Sequence, residues 1–234
     1  MENSIFLTAV WRNLVNITYK ADVNVLKTFL PEGIELDTID NSAFISLVAF
    51  QFLGTKVKGI RIPFHANFPE INLRFYVKNK NFRGVVFIRE FVPKILVSFI
   101  ANKIYNEPYS TADIEAKIKK GNSISAEYKL KLNHSEYFIR VNAENNTYKP
   151  DESSTEHFFK EHSYGFGTNH SGNTLVYEVE HPVWNIYPIT DYKHNFDFGK
   201  IYGKSFSFLN EEKPYNILFA EGSKVKVFSA EKLK

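Results

Sequence analysis

The sequence predicts a mainly β chain of the α+β class, and three observations carry that reading. Val, Ile, Phe and Tyr recur in alternating runs of strand period. Turn clusters such as Asp40-Asn41-Ser42 and Asn133-His134-Ser135 separate those runs. Helical patterning is confined to a few short segments. With 234 residues, 44% hydrophobic and 16% aromatic, the chain suits one large core and is short for two α/β domains. A single domain over residues 1–234 is expected.

Leu7 to Tyr19 reads as a first strand, interrupted at Asn13 and Asn16. Asp22 is the expected N-cap of a short helix carrying Val25, Leu26 and Phe29, which stops at Pro31-Glu32-Gly33. Ile34 to Ile39 and Ala43 to Phe52 follow as strands. Gly54 to Phe68 holds the breakers Gly59 and Pro63 and the basic series Lys56, Lys58, Arg61 and His65. It reads as a loop, which either covers a pocket mouth or merely solvates its charges.

The stretch from Phe68 to Tyr109 is where a pocket is expected. Ile71, Leu73 and Phe75 share one strand face, and Glu70, Asn72, Arg74 and Tyr76 share the other. Glu70 and Arg74 are therefore co-facial, as a structural ion pair or as groups orienting a small acid. Gly84 to Glu90 is apolar on both faces until Arg89-Glu90, as in a strand buried on both sides. Pro93 suits a first helical position and places Lys94 in the opening turn. Lys94, Ser98 and Asn102 then form one narrow polar strip on an otherwise apolar helix. A helix N-terminus and a dry site both disfavour an ammonium, and a neutral lysine amine attacks carbonyls to form a Schiff base. The plainer alternative is that Lys94 extends to solvent while its stem covers the core.

Further along, Ser123 to Leu132 and Glu136 to Ala143 form a hairpin about Asn133-His134-Ser135. Ser153-x-x-Glu156 matches a capping box before His157, Phe158 and Phe159. Ser163 to Thr168 pairs with Thr174 to His181, and Phe206 to Leu209, Tyr215 to Ala220 and Lys224 to Phe228 read as late strands. His181 is expected to hold a turn or the face of Trp184.

Composition removes several classes of function. There is no cysteine, so disulfides, thiol nucleophiles and thiolate metal sites are out. The net charge of +3 comes from basic residues scattered among acidic ones, which argues against nucleic acid as a partner. The aromatic residues follow strand periodicity, as core residues do. No apolar run is long enough to span a bilayer and the N-terminus has no cleavable leader pattern, so a cytoplasmic protein without membrane contact is expected. The seven histidines include no HExxH pair, and no phosphate loop, G-x-S-x-G elbow or dinucleotide fingerprint is present. No metal is expected. His162-Ser163 is set aside as a base and nucleophile, because neighbours on a strand face opposite ways.

Several segments together resemble a known family. Tyr19-Lys-Ala-Asp22, Leu30-Pro31-Glu32, Arg89-Glu90 and Pro93-Lys94 resemble acetoacetate decarboxylase. The stretches Phe68-Pro69-Glu70-x-Asn72-Leu73-Arg74-x-Tyr76-Val77, Asn106-Glu107-Pro108-Tyr109, Glu161-His162 and Glu180-His181-Pro182-x-Trp184 are similar to the YqjF-like bacterial family of the same superfamily. The resemblance implies a mainly antiparallel β-barrel or double-layered cone with a few peripheral helices, enclosing a small-molecule cavity. It implies Lys94 as the Schiff-base lysine and Arg12 as a substrate-handling arginine. The chain departs from the decarboxylase at Ile95, where that enzyme has a second lysine, and near Ile45, where it has a glutamate.

The resulting expectation is a protein binding a small keto-acid-like molecule. As an enzyme it would be a cofactor-independent lyase, decarboxylase- or aldolase-like, in which Lys94 is the nucleophile, Glu70 exchanges a proton, and Arg12, Arg74, Arg89 and Glu90 bind substrate. The alternatives are a non-catalytic ligand-binding or regulatory module with the same cavity, and a partner-binding β protein with a filled interior.

Overall fold

The computed structural model describes residues 4–80, 82–94 and 108–233. Of the helix expected from Pro93 onward, Pro93 and Lys94 are described and lie in no helix, so Lys94 is not in a helical first turn, and the remainder, 95–107, falls outside the described residues. The strands are β1 (Ile5–Ala21), β2 (Glu35–Leu36), β3 (Ala43–Val57), β4 (Phe68–Lys78) and β5 (Arg83–Val92), then β6 (Tyr109–Thr111), β7 (Asp113–Lys120), β8 (Ser123–Leu132), β9 (Ser135–Glu144) and β10 (Tyr164–Thr168). They continue with β11 (Thr174–Glu180), β12 (Ile189–His194), β13 (Asn216–Ala220), β14 (Lys224–Phe228) and β15 (Glu231–Lys232). Three short helices are described: α1 (Val23–Lys27), α2 (Thr155–Lys160) and α3 (Phe198–Tyr202).

Seven strands close a mixed barrel in the order β4-β3-β1-β14-β11-β10-β5, with β5 pairing back to β4. Every neighbour in that ring is antiparallel except β5 and β10, which are joined through a long crossover, as parallel pairing requires. Gly84 permits that closure. A Cβ there would lie 2.3 Å from the Tyr164 carbonyl oxygen, so only glycine lets β10 come this close.

A second antiparallel sheet, β12-β9-β8-β7, packs on the outside of the barrel. Tyr128, Leu130, Ile139 and Val141 join Ile45 and Leu47 of β3 and Ile71, Leu73 and Phe75 of β4 in one core cluster. The strands β3 and β4 are thus covered outside by this sheet and face the barrel interior inside. This is why their sequences are apolar on both faces. Each Leu, Ile or Phe so buried contributes about 1.5–3 kcal/mol.

The interior of the barrel contains a buried polar network. Thr18 Oγ1 donates to Asn16 Oδ1 at 3.0 Å, and the Ser46 and Tyr76 hydroxyls lie 2.5 Å apart. Asn16 Nδ2 and Tyr76 Oη also donate to the Phe159 carbonyl at 3.3 and 3.4 Å. This carbonyl lies in the last turn of α2, so the network ties that helix to the barrel and sets the position of His162 just beyond it.

The expected elements hold with local exceptions. Asp22 caps α1 through the Asn24 N–H at 2.8 Å, and the β8–β9 hairpin turns at Asn133 and His134, both with positive φ. Asn13, at φ 56, marks a shift in the β1–β3 register. The strand expected over Ile34 to Ile39 shrinks to Glu35–Leu36, and β3 runs on to Val57 through Gly54 at φ 62. The cap of α2 is Ser154, whose Oγ accepts from His157 N, while Ser153 turns its hydroxyl to Asp151. Phe206 to Leu209 lies in a 3₁₀ helix, Lys204–Asn210, because Phe206 and Leu209, three apart, bury on one side. No helix among the described residues is long and apolar enough to cross a membrane.

Candidate functional site in the barrel interior

All seven barrel strands contribute to one cavity of about 130 Å³. A water needs roughly 10–15 Å³ of such space, so the volume suits a small organic molecule. The connection between β3 and β4 adds Ile62 and His65 to the wall, and the segment after α2 adds His162. Strand alternation determines which side chains enter. On β4 these are Phe68, Glu70, Asn72 and Arg74, while Ile71, Leu73 and Phe75 turn to the outer layer.

A bulge brings in a second carboxyl group. On β5, Arg89 pairs with Leu73 and Phe87 with Arg74, so Ile88 is one residue too many. Val85 and Phe87 face the cavity before the bulge, and Glu90 faces it afterwards, opposite Asn72. Glu70 and Glu90 are both 2% exposed. Glu70 Oε1 accepts from Asn72 Nδ2 at 2.8 Å, Oε2 accepts from the Tyr109 hydroxyl at 3.0 Å, and Glu90 is in hydrogen-bonding contact with it. Burial raises the Glu70 pKa; the hydrogen bonds from Asn72, Glu90 and Tyr109 and the charge of Arg74 oppose the rise without reversing it. Two buried carboxyls in contact do not both ionise, so the pair holds a proton.

Arg74 is the cation of the site. Its guanidinium makes no hydrogen bond or ion pair among the described residues, and its Nε is buried without a partner. His162 is buried beside it, 4.9 Å from the Tyr76 ring and 5.4 Å from the Phe158 ring, with neither nitrogen hydrogen-bonded. Burial, reinforced by Arg74 and Arg83, pushes its pKa down to about 4 against the pull of Asp37, so the imidazole is neutral at pH 7. Asp37 Oδ2 lies 3.9 Å from His162 Nε2, too far for a hydrogen bond. Burial would raise the Asp37 pKa, but its neighbours His162 and Arg83 hold it low, the Arg83 Nε donating to it at 2.6 Å.

Residues 8–224 match the family DUF2071, described as an uncharacterized conserved protein. The chain belongs to that family. The uncharacterized protein YqjF of Bacillus subtilis (strain 168) is 30% identical over 115 residues, 49% of this chain and 47% of that protein. The chain thus spans about half the length of the curated relative that it matches. Among solved structures, acetoacetate decarboxylase from Legionella pneumophila superposes with a TM-score of 0.68 at 12% identity, covering 98% of this chain and 87% of that one. The enduracididine biosynthesis enzyme MppR complexed with pyruvate gives a TM-score of 0.67 at 12% identity, covering 100% and 92%. At these identities the likeness establishes a shared fold, the acetoacetate decarboxylase-like barrel.

In this DUF2071 barrel the residues singled out in the sequence separate into two groups. Glu70, Arg74 and Glu90 meet in the cavity. Arg12 does not line it. Its neighbour Trp11 points inward, and Arg12 turns out to the Gly222 carbonyl at 3.0 Å and Glu221 at 3.8 Å. Arg89, on the outer side of the bulge, donates to the Ile201 carbonyl at 3.1 Å. Lys94, partly buried just past the end of β5, is not among the residues lining the cavity. Ile45 faces the outer layer, so a carboxylate there would not reach the interior.

Three further groups complete the DUF2071 site: Asn72, Tyr109 and His162. Asn72 shares the face of Glu70 and Arg74, and alternation alone would have found it. Tyr109 and His162 sit in the family-like stretches Asn-Glu-Pro-Tyr and Glu-His, but only the fold brings them to Glu70 and Arg74. His181, as expected, stacks on Trp184 at 4.2 Å, and Trp184 Nε1 donates to Ser223 Oγ at 2.7 Å. Among the described residues, no group of three or more His, Asp or Glu stands close enough together to hold a metal ion.

Proposed function

We propose that the barrel binds a small organic acid of the keto-acid type, with Arg74 taking its carboxylate and the Glu70–Glu90 pair meeting its carbonyl end. The observation that carries this reading is Arg74, a cavity-lining guanidinium without an anionic partner among the described residues. Arg74 is half-buried, with its Nε sealed from solvent and unpartnered. A desolvated cationic group is costly unless paired, and a planar guanidinium matches a carboxylate with two parallel hydrogen bonds. The shared proton of the carboxyl pair supplies a donor for a keto oxygen. The pyruvate complex of MppR, a protein with this fold, supports the same ligand class. Such a site needs no contact with a membrane or nucleic acid and suits a cytoplasmic protein.

In a covalent version, Lys94 Nζ attacks the keto carbon, the carbonyl oxygen leaves as water, and the resulting imine accepts electrons in a decarboxylase- or aldolase-like step. That version requires Nζ to enter a cavity that Lys94 does not line. Reversible binding at Arg74 does not, so the ligand-binding module is the better supported form.

Titration calorimetry with a panel of small 2-oxo acids tests the reading. Binding is expected in the wild type and in Lys94→Ala, with at least a 30-fold loss in Arg74→Met. Absence of binding across the panel, or binding indifferent to Arg74→Met, would refute it. Borohydride reduction followed by mass analysis decides between module and enzyme, since a stable adduct on Lys94 establishes the imine.

A further inference from the structure

We propose that the acid bound here carries an aromatic or branched aliphatic body behind its 2-oxo carboxylate head, an inference that rests on Arg74 as the carboxylate anchor. The cavity-facing series on β4 runs Arg74, Asn72, Glu70, Phe68, polar for three residues and then apolar. Across the adjoining strands Arg74 stands opposite Phe87, Asn72 opposite Glu90 and Glu70 opposite Phe50, while Phe68 stands opposite Phe52 and Phe52 opposite Trp11. Apolar side chains thus flank the polar series, and rings gather at its Phe68 end.

These rings form a continuous surface. Phe52 stacks on Phe68 at 4.8 Å and 18°, and the edge of Trp11 meets Phe52 at 5.6 Å and Phe50 at 5.1 Å. Farther along the same wall, Leu7 pairs with Val57 on one side and Val227 on the other. Phe68 lies six residues along β4 from Arg74, so an acid of three carbons held at Arg74 is too short to touch this aromatic surface. A longer apolar body covers it, and each buried methylene strengthens binding about fourfold.

The test is calorimetry of the full chain with pyruvate, 4-methyl-2-oxopentanoate and phenylpyruvate. Both larger acids are expected to bind at least tenfold more tightly than pyruvate, and all three to lose binding in Arg74→Met. Val227→Phe, which narrows the cavity, is expected to weaken the larger acids at least tenfold more than it weakens pyruvate. Should that variant not fold, the wild-type series alone decides. If the larger acids bind no better than pyruvate while pyruvate still depends on Arg74, the apolar body is refuted and the acid site stands. If none of the three binds, or if Arg74→Met changes nothing, the acid site itself falls.

Discussion

Glu70 and Glu90 occupy neighbouring strands and meet inside the barrel because one extra residue, Ile88, shifts Glu90 onto the face that Glu70 occupies. Unbroken alternation from Val85 and Phe87 would have sent Glu90 outward with Ile88. The bulge therefore creates the carboxyl pair, and the pair makes the interior sensitive to pH.

The first prediction concerns alkaline stability. Burial raises the Glu70 pKa above its ordinary 4.5, so its neutral form favours the folded state. That contribution is complete below about pH 4.5 and is lost as pH rises through the folded pKa. Glu70→Gln keeps the shape and cannot ionise. It should be more stable than wild type by roughly 1–3 kcal/mol at pH 8, with a flatter pH dependence in urea unfolding. A variant no more stable than wild type at pH 8 would show that the pair carries no penalty there.

His162 acts in the opposite direction. Its pKa falls from 6.5 to about 4 in the folded protein, so its stabilisation is complete above about pH 6.5 and is lost as pH falls towards 4. The wild type should lose roughly 2–4 kcal/mol over that range from this residue. His162→Phe keeps a ring against Tyr76 and Phe158 and should lose that part of the acid sensitivity. Proton NMR of the His162 ring should find it still neutral at pH 5.5; a protonated ring at that pH would contradict the assignment.

Barrel closure depends on Gly84. The methyl of Gly84→Ala meets backbone at 2.3 Å, which cannot move without separating β5 from β10. A loss of about 1–3 kcal/mol is expected, with hydrogen exchange at the Tyr164 and Gly165 amides rising more than at β8 and β9. Equal rises in both sheets would argue against a local effect.

Tyr76→Phe removes a hydroxyl shared by Ser46, Asn16 and the Phe159 carbonyl. The buried partners left behind should cost about 1–3 kcal/mol, read from urea unfolding. The same variant should loosen α2 and broaden the His162 resonances. Unchanged resonances would mean that the network does not position His162.

Much of the fold was legible from local chemistry. Asp22 capped its helix, Asn133 and His134 turned their hairpin, and alternation put Glu70, Asn72 and Arg74 on one face, because each depends on backbone preferences within a few residues. The strand β7 (Asp113–Lys120) carries only a weak sequence signal although Ile114, Ala116 and Ile118 alternate in it, since its exposed face is densely charged. Phe206 to Leu209 reads as a strand yet forms a 3₁₀ helix, because a short apolar run carries no period of its own.

The site was only half legible, for a physical reason. By itself the sequence determined the strand faces, the polar groups on β4 and the excess of apolar residues that must line or fill an interior. Only the tertiary structure decided that the ring closes around a cavity, that an extra residue turns Glu90 inward, and that His162 arrives from a helix some 90 positions beyond Arg74. Local preferences act over a few residues, whereas a cavity is defined by strands far apart in the chain, and neither register shifts nor barrel closure leave a mark in any one of them.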